Sequence, residues 1–142
     1  MDRHPVLGAI AILLHQDHVL LVQRDKEPDK GLWGFPGGRV EWGETATQAA
    51  LRELHEETGL RAEALDYLTN VDLIRDDTHY LLAATLCMYV SGTPVAAHDA
   101  MDAKWVPLDT VAKGDLLMSA RVADLLALAQ ARLAELDKNT SA

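Results

Sequence analysis

The chain has 142 residues, 49% of them hydrophobic and 25% charged, with a formal net charge of -9. That length suits one domain with a real core, and the acidic balance argues against sequence-independent nucleic-acid binding, which needs Lys and Arg to replace counterions. Cys87 is the only cysteine, which excludes an internal disulfide and a cysteine zinc cluster and makes a reducing, cytoplasmic compartment the default. In chain order, residues 1–5 lack the basic start and apolar run of a signal peptide, and the apolar stretch 6–14 is about half of a membrane span. Residues 6–14 and 19–24 read as two strands around a turn at Gln16-Asp17. Residues 25–31, charged and containing Pro28, read as a loop. Residues 31–38, Gly-Leu-Trp-Gly-Phe-Pro-Gly-Gly, are too punctuated for regular structure, with a short strand beginning at Val40.

Residues 45–58 read as a helix, with Thr45 and Gln48 at capping-box spacing and Gly59 where a C-terminal cap belongs. Residues 64–73 and 80–90 read as strands, 91–94 as a turn, and 103–106 as a short strand around Trp105. Residues 119–136 read as a second helix, with Val122, Leu125, Leu126, Ala129, Leu133 and Leu136 on its buried stripe. The polar tail 138–142 is expected to fray. Strands with two helices imply a sheet covered on both faces.

The chemistry concentrates in one run. Gly38 is followed by Glu44, then Arg52-Glu53-Leu54, Glu56-Glu57 and Gly59-Leu60. At ~100° per residue, Glu53, Glu56 and Glu57 fall within roughly a third of the helix circumference, beside the apolar Ala46, Ala50 and Leu54. His55, Gln48 and Arg52 are placed on the other side. The carboxylates therefore sit at an edge between core and solvent. Like charges this close repel, and Mg2+ or Mn2+ would relieve that repulsion, since hard cations prefer carboxylate and carbonyl oxygens. The plain alternative is a glutamate-rich solvated face, but the adjoining glycine loop and the capped helix favour a site. Gly37 and Gly38 let the backbone approach a ligand closely.

This run matches the Nudix box at every defining position, so the chain resembles a Nudix hydrolase. The match covers 23 residues in which nine positions stand at fixed spacing. The resemblance implies an α/β fold, the Nudix α/β/α sandwich with a mixed central sheet, formed by residues 1–142 as one domain. It implies that metal-bound water attacks a phosphorus of a nucleoside diphosphate linked to another group. It places the metal, Mg2+ or Mn2+, at Glu53, Glu56 and Glu57, with a backbone carbonyl at Gly37. Glu44 takes a supporting role, and Arg52 orients a carboxylate. Glu53 is the expected general base, with Asp99 and Asp102 as loop alternatives. Arg39 and Arg24 are candidates for phosphate contacts. Trp33 is divided between stacking on a base and packing, and Phe35 is assigned to packing. ADP-ribose-like or nucleoside triphosphate substrates lead. The proline that accompanies ADP-ribose activity in some relatives is replaced by the stretch Ile74, Arg75 and Asp76. A non-catalytic nucleotide-sensing module and an RNA-directed enzyme are the rivals; no membrane or nucleic-acid partner is expected, and a homodimer is left open.

Overall fold

A computed structural model describes residues 3–27 and 29–140; Met1, Asp2 and Pro28, which the sequence reading assigned to the N-terminus and a loop, lie outside the described residues, as do the last two. Ten residues of mostly aliphatic sequence form β1 (Val6–His15), and β2 (His18–Arg24) returns beside it. Gln16 and Asp17 between them both have positive φ, 48° and 62°, the backbone of a two-residue hairpin turn that matches strand twist. Two short strands follow, β3 (Trp33–Gly34) and β4 (Gly37–Arg39). They correct the expectation of an irregular stretch, and Val40 lies just beyond β4 instead of starting a strand. Helix α1 (Ala46–Thr58) has Thr45 as N-cap with a complete capping box to Gln48, and Gly59 closes it at φ 76°. The long hairpin β5 (Arg61–Ile74) and β6 (His79–Ser91) extends both predicted strands, and β7 (Ala100–Pro107) contains the segment around Trp105. A six-residue helix α2 (Leu108–Lys113) was not foreseen. Helix α3 (Val122–Thr140) runs through Lys138, which replaces the expected frayed tail as far as it is described.

The sheet is mixed: β1 and β6 run parallel, from Val6 opposite Tyr80 to Leu14 opposite Met88, and the other pairs are antiparallel. Beside β1, on the edge away from β6, two partners share its length. β4 pairs with its first half at Gly8, Ala9 and Ile10, whereas β2 pairs only with its end, at Leu14 and His15. β1 and β2 therefore splay apart, and β3 and β4 fill the fork, with β3 on β2 at Val22 and Gln23. Pro36, between them, accepts a hydrogen bond from the Ala11 amide at 2.9 Å. The glycine loop is thus a wedge held by both arms of a hairpin.

Alternation along β1 divides the core into two layers. Ile12 joins Val19, Leu21, Leu86 and Val106 under α2 and α3, where the predicted stripe Val122, Leu125, Leu126 and Ala129 is buried and Leu133 and Leu136 are half-buried. On the other face Ala9, Ala11 and Leu13 meet Ala49, Ala50 and Leu54 of α1. Alanine against alanine lets α1 approach the sheet closely, because interaxial distance follows the side chains at the contact. That approach brings the carboxylates of α1 onto the glycine wedge. Among the described residues no helix is long and apolar enough to cross a membrane.

Candidate active site

Glu57 is the deepest of the three carboxylates. It is 7% exposed, and its Oε2 accepts the Gly37 amide at 2.9 Å. Burial, reinforced by the charge of Glu53, pushes its pKa up to about 8. Glu53, one turn earlier, has 18% of its side chain exposed, and burial raises its pKa against the pull of Arg52. Glu56 is the outermost, with 39% exposed. Gly38 borders this group so tightly that a Cβ on it would stand 2.6 Å from the Glu53 carboxylate. Glycine here makes room for a side chain from another element, not for an unusual turn.

Arg52 ties the cluster together. Its Nε donates to Glu44 Oε2 at 2.7 Å and its Nη2 to Glu44 Oε1 at 2.9 Å, a two-pronged pairing that a lysine cannot reproduce. Nη1 donates to Glu53 at 2.8 Å and to Glu56 at 3.2 Å, and Nη2 also reaches the Arg39 carbonyl at 3.0 Å. The wheel placed Arg52 away from the carboxylates; the long side chain instead curls back over them. Its guanidinium, with the Glu41 amide, holds the Glu44 carboxyl down to about 2. Glu44 therefore anchors Arg52 from outside the helix.

A second wall comes from the segment before β7. The Val95 and Ala97 amides donate to the carbonyls of Thr58 and Glu57 at 2.9 and 3.0 Å, docking this segment on the end of α1. Asp99 follows, and its negative charge acts on both Glu53 and Glu57. Lys26 pairs with it at 2.7 Å, and the Asp25 amide donates to its carbonyl. Asp102 lies in β7 opposite Gln23, with its Oδ1 accepting the neighbouring Ala103 amide. Of the two loop candidates, only Asp99 is brought to the cluster. Arg24, at the end of β2, is near enough for its positive charge to oppose the rise at Glu57. Arg39 is exposed on β4.

Trp33 is 7% exposed, inside the core layer under α3, with Lys104 Nζ 4.5 Å from its ring centroid. This burial favours packing over stacking on a base. Phe35 packs against the same layer. The fully exposed aromatic is Trp42, between Glu41 and Gly43, which the sequence reading passed over. It also missed the clasp in which Arg75 donates to both Asp29 oxygens at 2.7 and 2.9 Å, fastening the loop after β2 to the tip of the β5–β6 hairpin. No spacing rule joins residues so far apart; only the fold pairs them.

The donor set suits a hard divalent cation. Three carboxylates, Glu44, Glu53 and Glu56, share one guanidinium, Glu57 lies beside them on the Gly37 amide, and Glu53 and Glu57 have raised pKa values. All candidate donors are oxygens, with neither thiolate nor imidazole among them. Among the described residues no three acidic, His or Cys side chains already converge as ligands. Arg52 donates to one oxygen each of Glu53 and Glu56, and the Gly37 amide to one of Glu57.

The Nudix domain family model matches residues 2–127. The chain belongs to the Nudix family. It is 32% identical over 114 residues to a protein of Methanocaldococcus jannaschii named ADP-ribose pyrophosphatase, covering 78% of this chain and 66% of that protein. The chain thus spans no more than about two thirds of that relative, and 36% of a Bacillus subtilis protein named putative 8-oxo-dGTP diphosphatase. The Nudix domain of Shewanella oneidensis NrtR, solved with ADP ribose, superposes with a TM-score of 0.79 at 26% identity, covering 93% of this chain and 90% of that one.

Proposed function

We propose that this chain hydrolyses a phosphoric anhydride bond in nucleoside diphosphate derivatives, using Mg2+ or Mn2+, and that residues 1–142 act as one catalytic unit. The observation that carries this reading is the buried Glu57, held by the Gly37 amide beside Glu53 and pushed up to about 8 by burial and by the charge of Glu53. Glu53, Glu56 and Glu57, with the Gly37 carbonyl, would hold the ion. When bound, it would neutralise phosphate charge and lower the pKa of a water. Arg52 fixes the direction of Glu53, and Arg24 and Arg39 meet phosphate oxygens. Glu53 accepts the proton of the attacking water. ADP-ribose-like substrates lead, supported by the name of the Methanocaldococcus jannaschii relative and the ligand of the NrtR domain. Purified protein with Mg2+, screened against ADP-ribose, nucleoside triphosphates, dinucleoside polyphosphates and nucleotide sugars, should cleave at least one class. Exhaustive EDTA treatment should abolish that turnover; full activity without metal overturns the proposal.

The proton step has its own test. With Glu53 as base, Glu53→Gln lowers the rate at saturating Mg2+ by roughly 10²-fold or more. Asp99→Asn and Asp102→Asn keep most of theirs. Recovery of the Glu53→Gln rate in excess Mg2+ reduces Glu53 to a ligand and moves the base to Asp99, the loop carboxylate whose charge reaches the cluster.

A further inference from the structure

The two ends of the first hairpin turn are histidines. His15 closes β1, His18 opens β2, and they are direct cross-strand partners. Directly opposed residues place their Cβ atoms about 5 Å apart on one face of the sheet. The face is the one covered by α1, since Leu13 and Leu20, two residues away on each strand, belong to that layer. Six residues of extended chain separate His15 from Ala9, the partner of Gly38, so the pair lies about 20 Å from the glycine wedge. Here a cavity of about 160 Å³ opens, lined by His15, Gln16, His18 and Trp105.

The rings are prepared rather than loose. His15 lies against Tyr89, centroids 4.3 Å apart, and 5.6 Å from Trp105. Both histidines are half-buried. His18 Nδ1 is 2.7 Å from the Gln16 carbonyl. A carbonyl only accepts, so Nδ1 is the donor of this bond and Nε2 is the nitrogen left for a metal. Fixing one ring nitrogen against a backbone carbonyl is how proteins set the tautomer and direction of a ligating histidine.

We propose that His15 and His18 form a second metal site, a two-imidazole chelate for a divalent transition metal, with Cu2+ held more tightly than Ni2+ or Zn2+. Imidazole nitrogens prefer these ions, and the order follows the general ranking of first-row divalent metals. Mg2+ does not compete, because it seeks oxygen donors. The site is separate from the oxygen-only cluster on α1 in both chemistry and place.

Trp105, forming a wall of the cavity, supplies the readout. The full chain is titrated with Cu2+ in excess Mg2+ while tryptophan emission is followed. Saturable quenching is expected, and Trp105→Phe should remove most of it. His15→Phe, which keeps a ring against Tyr89, and His18→Asn, at the turn, should each lose the saturable phase. Circular dichroism and Tm identify any variant that fails to fold, and the other histidine variant then decides. Quenching that persists unchanged in a folded histidine variant, or that survives Trp105→Phe, places the ion elsewhere and overturns the proposal.

Discussion

Glu57→Gln abolishes most turnover, yet raises the stability of the metal-free protein at neutral and alkaline pH. The two effects share one cause. Glu57 is 7% exposed, and burial sets its pKa near 8 against an ordinary 4.5. A carboxylate raised on folding favours the native state fully only below its ordinary value, and that contribution is lost as pH rises through the folded value. In EDTA the parent protein should therefore lose Tm from about pH 4.5 to about pH 8. The glutamine keeps an oxygen for the Gly37 amide but carries no charge, so its Tm should lack this slope and exceed the parent's at pH 8. Adding Mg2+ should stabilise the parent at that pH and the variant much less, because a ligand that binds only the native state raises stability. Parallel Tm profiles for the two proteins, with near-normal turnover, would remove Glu57 from the site.

Gly38→Ala should cost as much activity with little loss of fold. The added methyl would stand 2.6 Å from the Glu53 carboxylate, closer than real contacts allow. The carboxylate is the end of a flexible side chain, so it moves, and its 2.8 Å bond to Arg52 is disturbed. A displacement of about 1 Å in a catalytic group is enough for a roughly 10²-fold loss of rate. Gly37→Ala behaves differently, because its methyl would lie 2.3 Å from the Ala9 carbonyl oxygen, in the strand backbone. That variant should be poorly folded. Turnover and Tm of both proteins separate the two kinds of glycine, and an active Gly38→Ala enzyme would mean that Glu53 need not stand where it does.

The elements with local signatures were legible in the sequence. α1 carries its capping box and its Gly59 stop within its own residues, and the stripe of α3 repeats at helical spacing. β3 and β4 were not legible, because strands of two and three residues exist only through partners on β1 and β2. α2 is a single short helix whose N-cap, Pro107, makes no side-chain bond. At the site, spacing gave the direction of each Cβ but not the reach of a long side chain, so it did not show how Arg52 bonds to Glu53 and Glu56 from its own side of the helix. Trp33 is buried by core residues and touched by Lys104, all remote in sequence. Asp99 and Asp102 looked alike because they are three residues apart; the start of β7 between them turns one to the cluster and pairs the other with β2.

The wedge in the fork of β1 and β2 has a mechanical consequence. Its backbone is bonded to the sheet on both sides, and the Gly37 amide to Glu57 as well. Such a segment cannot open without unzipping strands, so it should exchange amide hydrogens only with global unfolding, as slowly as the centre of the sheet. The adaptable part of the molecule should then lie elsewhere, in the surface loops around a wedge that the sheet holds rigid.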